Sequence, residues 1–168
     1  IAKKAFNMNI LIYDPYFKIS KDFLNGDFSL KKDLSELLKN SDVISVHIPL
    51  NGSTKKFIGK EEFDLMKNTA ILINTSRGGV IDEKALIDAL KDSKIAGAGL
   101  DVFEKEPPEP DNLLFKIENT VLTPHLSSFT DEGKLKMGMY TVNGVLNVLD
   151  NKEPRFIINP EVWGNRKQ

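Results

Sequence analysis

Three side chains in this 168-residue chain have the types needed for proton exchange beside a bound carboxylate: Arg77, His125 and Glu106. Arg77 is one of three arginines, with Arg155 and Arg166, among 23 basic residues. Flanked by Ser76 and Gly78-Gly79, it sits where a planar, two-pronged donor can grip a carboxylate. His125 follows Pro124 and is the best candidate for an acid or base titrating near neutrality. The only other histidine, His47, has the same kind of address but reads as a wall or packing residue. Glu106, in Glu104-Lys-Glu106-Pro107-Pro108, is by default a solvated loop charge. If it reached His125 it would favour the imidazolium and fix the ring, and spacing alone leaves both readings open. There is no H-x-x-x-H pair, no carboxylate cluster at metal-ligand spacing and no G-x-x-x-x-G-K-[ST]. Metal-centred and P-loop chemistry therefore have no support, and the absence of Cys excludes a thiolate nucleophile and a disulfide scaffold.

The elements that must position these groups follow one grammar. Asn9-Ile-Leu-Ile-Tyr13 is an apolar, β-branched run ended by Asp14-Pro15, and Pro cannot donate to a ladder, so a buried strand stops there. Asp42–Pro49, Thr69–Asn74, Ile95–Asp101 and Thr120–His125 read as further strands, the third rich in small residues. Helical segments are expected at Asp33–Asn40, Lys60–Lys67 and Asp82–Asp92, the last with Asp82 as N-cap. Strand and helix alternating, with apolar strands, predict an α/β fold with a doubly wound parallel sheet covered on both sides. From Asp131 to Leu149, residues Leu135, Met139, Val142, Leu146 and Leu149 form one stripe of a long helix, expected to be a packing face. The tail from Asn151 to Gln168 reads as irregular.

In open α/β sheets, ligands bind outside the carboxyl ends of the strands. Asp14, His47-Ile48-Pro49, Thr75-Ser76-Arg77, Asp101 and His125 all fall there, so five segments deliver polar groups to one edge. Asp14 is either a turn former or a carboxylate accepting both hydroxyls of an adenine ribose, which would favour NAD over NADP because a 2′-phosphate would be repelled. Lys and Arg (23) balance Asp and Glu (24), which removes the main physical reason to expect nucleic-acid or anionic-membrane binding. The longest apolar runs are far below the roughly 18 residues of a membrane span. Asn9–Tyr13 is shorter than the ~7 to 15 residues of a secretory signal core.

Three motifs, Asn74-Thr-Ser-Arg77-Gly-Gly-Val-Ile-Asp82-Glu, Gly97-Ala-Gly-Leu-Asp101-Val-Phe-Glu-Lys-Glu106-Pro-Pro and Leu122-Thr-Pro-His125, resemble those of the D-isomer-specific 2-hydroxyacid dehydrogenases, including the phosphoglycerate and glyoxylate reductase branches. Tyr13-Asp14-Pro15 and Val46-His-Ile-Pro-Leu50 match as well, and the resemblance runs from Ile1 to about Pro160. It implies a Rossmann-like fold and an NAD cofactor. Arg77 would bind the substrate carboxylate and keto oxygen, His125 would donate and accept the proton, and Glu106 would tune His125. Asp14 would hold the adenine ribose, and Ile48, Pro49 and Thr54 would wall the cofactor. Thr75, Ser76 and Asp101 would lie near the nicotinamide, and Ser127 and Ser128 would approach the cofactor after the histidine. Glu106 argues against the formate dehydrogenase branch, which carries an amide there. A cytoplasmic homodimer acting on a small 2-hydroxy or 2-keto acid is implied, with no nucleic acid or membrane as partner.

The departures are also informative. A ribose-binding acid lies about 20 residues beyond the start of its glycine loop, and only 13 residues precede Asp14. The glycine loop, the first strand of the sheet and the substrate domain are thus expected to lie outside this sequence. Residues 1–130 would be the NAD-binding domain without its start, and 131–168 a helix and tail returning to the substrate domain. Such a piece would be inactive alone. In the order 3-2-1-4-5-6 the first strand is central, so its loss would leave a gap or invite a completing strand from elsewhere. The alternative from another class is an NAD(H)-sensing binding module of the same fold, like the transcriptional corepressors.

Overall fold

The computed structural model describes residues 1–17 and 28–165. It falls into two units, Ile1–His125 and Leu126–Gln168. The first begins with α1 (Ala2–Phe6) and β1 (Leu11–Ile12), followed by β2 (Ser29–Leu30), α2 (Leu34–Asn40) and β3 (Val43–Val46). Next come α3 (Lys60–Leu65), β4 (Ile71–Asn74), α4 (Glu83–Lys91), β5 (Gly97–Leu100) and β6 (Thr120–Leu122). All pairings are parallel, in two separate sheets: β1-β2, and β3-β4-β5-β6. Among the described residues no strand joins β1 to β3, which is where the expected central strand would lie. The two-residue β2 escapes sequence reading because it is too short to show a period.

Local chemistry explains the ends of the helices. Asp33 accepts from the Ser35 N–H at 2.9 Å and Asp82 from the Ala85 N–H at 3.2 Å, so each caps its helix as a side-chain acceptor should. Glu62 reaches back to the Gly59 N–H at 2.9 Å and stabilises the start of α3. Leu38 of α2, Phe63 of α3 and Leu86 and Leu90 of α4 form one core with Ile44, Val46, Leu72, Ala98 and Leu100 of the sheet. Burial alternates along β3 and β4, and on the opposite face Val43, Ile71 and Val121 remain exposed. Among the described residues of this unit, α2, α3 and α4 pack on the face that carries the core. In β5 a Cβ on Gly97 would lie 2.7 Å from the Asn119 carbonyl oxygen, which is why that strand needs so small a residue.

The second unit carries α5 (Asp131–Leu149), with the predicted bounds, and Thr130 caps it by accepting from the Gly133 N–H at 3.0 Å. Within this unit the stripe read as a packing face is exposed, at 50% for Met139 and up to 74% for Leu149. The tail is not wholly irregular: a 3-10 helix spans Pro160–Asn165, and Pro160 suits its first position because a proline has no N–H to leave unpaired. Residues 166–168 lie outside the described residues.

Candidate active site

The four parallel strands place their carboxyl ends in one row, since Val46 pairs with Asn74 and Asn74 with Leu100, while Leu100 pairs with Leu122. The next residues along each strand, His47, Thr75, Asp101 and Thr123, therefore leave the sheet side by side. Four of the five polar segments converge there as expected. The fifth, Asp14, ends β1 in the other sheet.

From β4 the chain turns through Thr75-Ser76-Arg77 into a 3-10 turn at Gly78–Val80. The turn is held from below by Asn74, 1% exposed. Asn74 Oδ1 accepts from the Ser76 N–H at 3.0 Å and from Ser76 Oγ at 2.9 Å, and Asn74 Nδ2 donates to the Arg77 carbonyl at 3.0 Å. The Arg77 side chain is exposed, with Nη1 donating to the Ser76 carbonyl at 2.6 Å. Thr75 is exposed and Ser76 half-buried.

Beyond β5, Asp101, Val102 and Phe103 are buried before the chain surfaces at Glu104. Asp101 accepts from Thr123 Oγ1 at 2.5 Å, tying the end of β5 to that of β6. Glu106 Oε1 accepts from the Phe103 N–H at 3.1 Å, and its Oε2 lies 2.8 Å from His125 Nδ1. The carboxylate left undecided by spacing thus reaches the histidine. Burial pushes the Glu106 carboxyl up. The hydrogen bonds from His125 and the Phe103 amide, with the charges of His125 and Arg77, outweigh this and hold it below the ordinary range. With Nδ1 engaged by Glu106, Nε2 is the ring nitrogen left for proton exchange. Beside the pair opens a largely apolar cavity of about 350 Å³ bounded by Phe103, Phe115, Leu122 and Pro124.

The segment after β3 forms the neighbouring wall. Ile48 is half-buried against the core and Pro49 exposed. The Thr54 hydroxyl donates to the Pro49 carbonyl at 2.6 Å and accepts from the Asn51 N–H at 2.8 Å, so it shapes the loop, leaving its methyl as the group available to a ligand. This loop is tied to the Arg77 turn through the Lys56 N–H and the Gly79 carbonyl at 2.8 Å. His47 Nε2 lies 2.8 Å from Ser45 Oγ, in keeping with a wall or packing residue. Asp14 is exposed, with Oδ1 accepting from the Tyr16 N–H at 2.9 Å and Oδ2 without a bond among the described residues. An exposed acid with one uncommitted oxygen, and an apolar rim at Ile48-Pro49, fit the ribose and base of a dinucleotide. Ser127 and Ser128 belong to the second unit, in the segment leading to α5.

Sequence reasoning missed Asn74, Thr123 and the Phe103 amide as parts of the site. Asn74 ends an Ile-Leu-Ile run, and a polar residue closing a buried strand was the available signal. The amide has no signal, because every residue except proline carries one.

Residues 1–127 match the family model described as D-isomer specific 2-hydroxyacid dehydrogenase, NAD binding domain. The chain is 43% identical over 156 residues to the D-3-phosphoglycerate dehydrogenase of Archaeoglobus fulgidus, covering 93% of this chain and 29% of that protein. It is 43% identical over 160 residues to the glyoxylate reductase of Korarchaeum cryptofilum, covering 95% and 47%. Among solved structures it is similar to the NAD-complexed D-isomer specific 2-hydroxyacid dehydrogenase of Lactobacillus delbrueckii ssp. bulgaricus. That match has a TM-score of 0.82 and 33% identity, and covers 92% of this chain and 50% of the other. The chain therefore spans half or less of the length of these relatives.

Proposed function

Because the chain belongs to the D-isomer-specific 2-hydroxyacid dehydrogenase family, in its NAD-binding domain, we propose that it carries the proton-transfer and cofactor-holding residues of an NAD-dependent oxidoreductase acting on a small D-2-hydroxy or 2-keto acid. The observation that carries this reading is the Glu106–His125 pair at 2.8 Å, with the Arg77 charge acting on the same carboxylate.

In this reading Asp14 holds the adenine ribose, while Ile48, Pro49 and Thr54 wall the cofactor, with Thr75, Ser76 and Asp101 near its nicotinamide end. Bound NAD would supply the hydride acceptor, and NADH the donor. Arg77 grips the substrate carboxylate and leans on the oxygen at C2, fixing the molecule for reaction. In the direction of oxidation, His125 Nε2 removes the hydroxyl proton; in reduction it returns one to the forming alkoxide. Glu106 keeps Nδ1 engaged, so the ring orientation is set before substrate arrives. Residues 131–168 lead toward a substrate domain, and the working enzyme is a cytoplasmic homodimer.

The test is oxidation of NADH by the full-length polypeptide with glyoxylate, pyruvate, hydroxypyruvate and phosphohydroxypyruvate in turn. Turnover is expected with at least one, and NADPH is expected to serve at least about tenfold less well, because a 2′-phosphate beside Asp14 meets a like charge. NADH affinity with no turnover on any 2-keto acid would overturn the reading in favour of a nucleotide-sensing module.

A further inference from the structure

We propose that Asn74 is a positioning residue for substrate binding: its buried carboxamide fixes the Ser76–Arg77 turn, and through it the point in space from which the Arg77 guanidinium meets the substrate carboxylate. This rests on the reading of Arg77 given above and extends it to a residue beneath the reacting groups.

Asn74 is bonded through both polar atoms of its side chain and through its backbone carbonyl. Its backbone lies in the sheet, in register with Val46 on one side and Leu100 on the other, and its carbonyl accepts from the Asp101 N–H at 3.0 Å. The side chain is as immobile as the strand, because a buried amide released from its partners loses bonds that water cannot replace. Its three bonds reach both ends of the turn, the Ser76 amide and hydroxyl on one oxygen and the Arg77 carbonyl on the nitrogen. No other amino acid of this size supplies an acceptor and a donor in that fork. Aspartate keeps the acceptor but sets an oxygen against the Arg77 carbonyl; leucine keeps the volume and satisfies neither.

The far side of the turn is fixed independently. A Cβ on Gly78 would lie 1.8 Å from the Phe103 carbonyl oxygen, so the backbone after Arg77 rests directly on the segment whose amide holds Glu106. Arg77 is thus set between Asn74 beneath and the Glu106 loop beside it. A guanidinium on a long side chain grips a carboxylate productively only if its root is fixed, and a displacement of about 1 Å in such a site can cost on the order of 100-fold.

The experiment is a double-mutant cycle in the full-length polypeptide, read as kcat and KM for the best 2-keto acid, KM for NADH, and the Kd of oxamate, an unreactive pyruvate isostere, in the presence of NADH. Asn74→Ala is expected to raise the keto-acid KM and the oxamate Kd about tenfold or more, with a smaller rise in the NADH KM. In the Arg77→Ala background the same change should have almost no further effect on kcat/KM, because Asn74 acts through Arg77. Asn74→Asp, which retains both Ser76 bonds, should fall between wild type and Asn74→Ala. Ser76→Ala, which removes one bond on the turn, should give a rise of about threefold or less and keeps the test open if Asn74→Ala fails to fold. Exchange of the Ser76 amide proton, which needs no turnover, should speed at least about tenfold in Asn74→Ala. An unchanged keto-acid KM in folded Asn74→Ala, or losses that multiply with those of Arg77→Ala, would overturn the proposal alone. A wild-type polypeptide with no response to oxamate or to any keto acid would overturn the reading of Arg77 and this role with it.

Discussion

The two sheets of the Ile1–His125 unit use the same parallel grammar at very different depths. In β3-β4-β5-β6, strands of three or four residues border a core where Leu38, Ala70, Leu72 and Val80 are inaccessible to solvent, with burial alternating along β3 and β4. In β1-β2, each strand has two residues and none is buried. Arg77, Glu106 and His125 all leave the deep sheet or the loops that follow it. Asp14, the candidate for holding the ribose, leaves the shallow one. Groups that must meet to within tenths of an ångström stand where packing fixes the backbone, whereas a carboxylate accepting from two hydroxyls can adapt to its ligand.

If that contrast is real, changes on the deep sheet should act on chemistry or global stability and changes on the shallow sheet on little beyond cofactor contact. The largest effect expected is on turnover. His125→Ala removes the group proposed to exchange the proton, and kcat should fall by about 100- to 10,000-fold with only a small change in thermal unfolding, since the ring is exposed. A fall smaller than tenfold, measured under saturating substrate, would take the histidine out of the reaction. Next comes the core. Leu72→Ala in β4 should cost about 2–5 kcal/mol in urea unfolding, because a fully enclosed side chain leaves a cavity behind. The half-buried Ile12→Ala in β1 should cost about 1 kcal/mol or less, there being water to replace the lost contacts. Equal costs would erase the distinction between the sheets.

The smallest effect concerns acid. The Glu106 carboxyl is held below its ordinary value of 4.5, so its contribution to the folded state is present above that pH and is lost as pH falls through the lowered value. Glu106→Gln should therefore flatten part of the loss of stability below about pH 4.5. Unfolding curves for the two proteins that keep the same spacing down to pH 3 or so would remove the electrostatic tie between this loop and His125.

Much of the deep sheet was legible because each strand is a β-branched or small-residue run closed by a residue that cannot continue it. Asp82 was legible as a cap for the same local reason, an oxygen placed before a run of helix formers. The Glu106–His125 contact was not. They stand nineteen positions apart in the chain, and the β5-β6 ladder and the bond from Thr123 to Asp101 bring the two loops together. The exposure of the α5 stripe was equally hidden, since a period of 3.6 shows that a helix has an apolar side without showing what lies against it.

What the sequence by itself determined was local: which segments are strands and helices, which residues cap them, and which side chains at strand ends have the types for acid, base and carboxylate-binding chemistry. Those follow from backbone sterics and from side-chain types acting over a few neighbours. Only the tertiary structure decided that Glu106 meets His125 and that β1-β2 stands apart from β3-β6. These depend on strand order and register, which are set by burial across segments far apart in the chain.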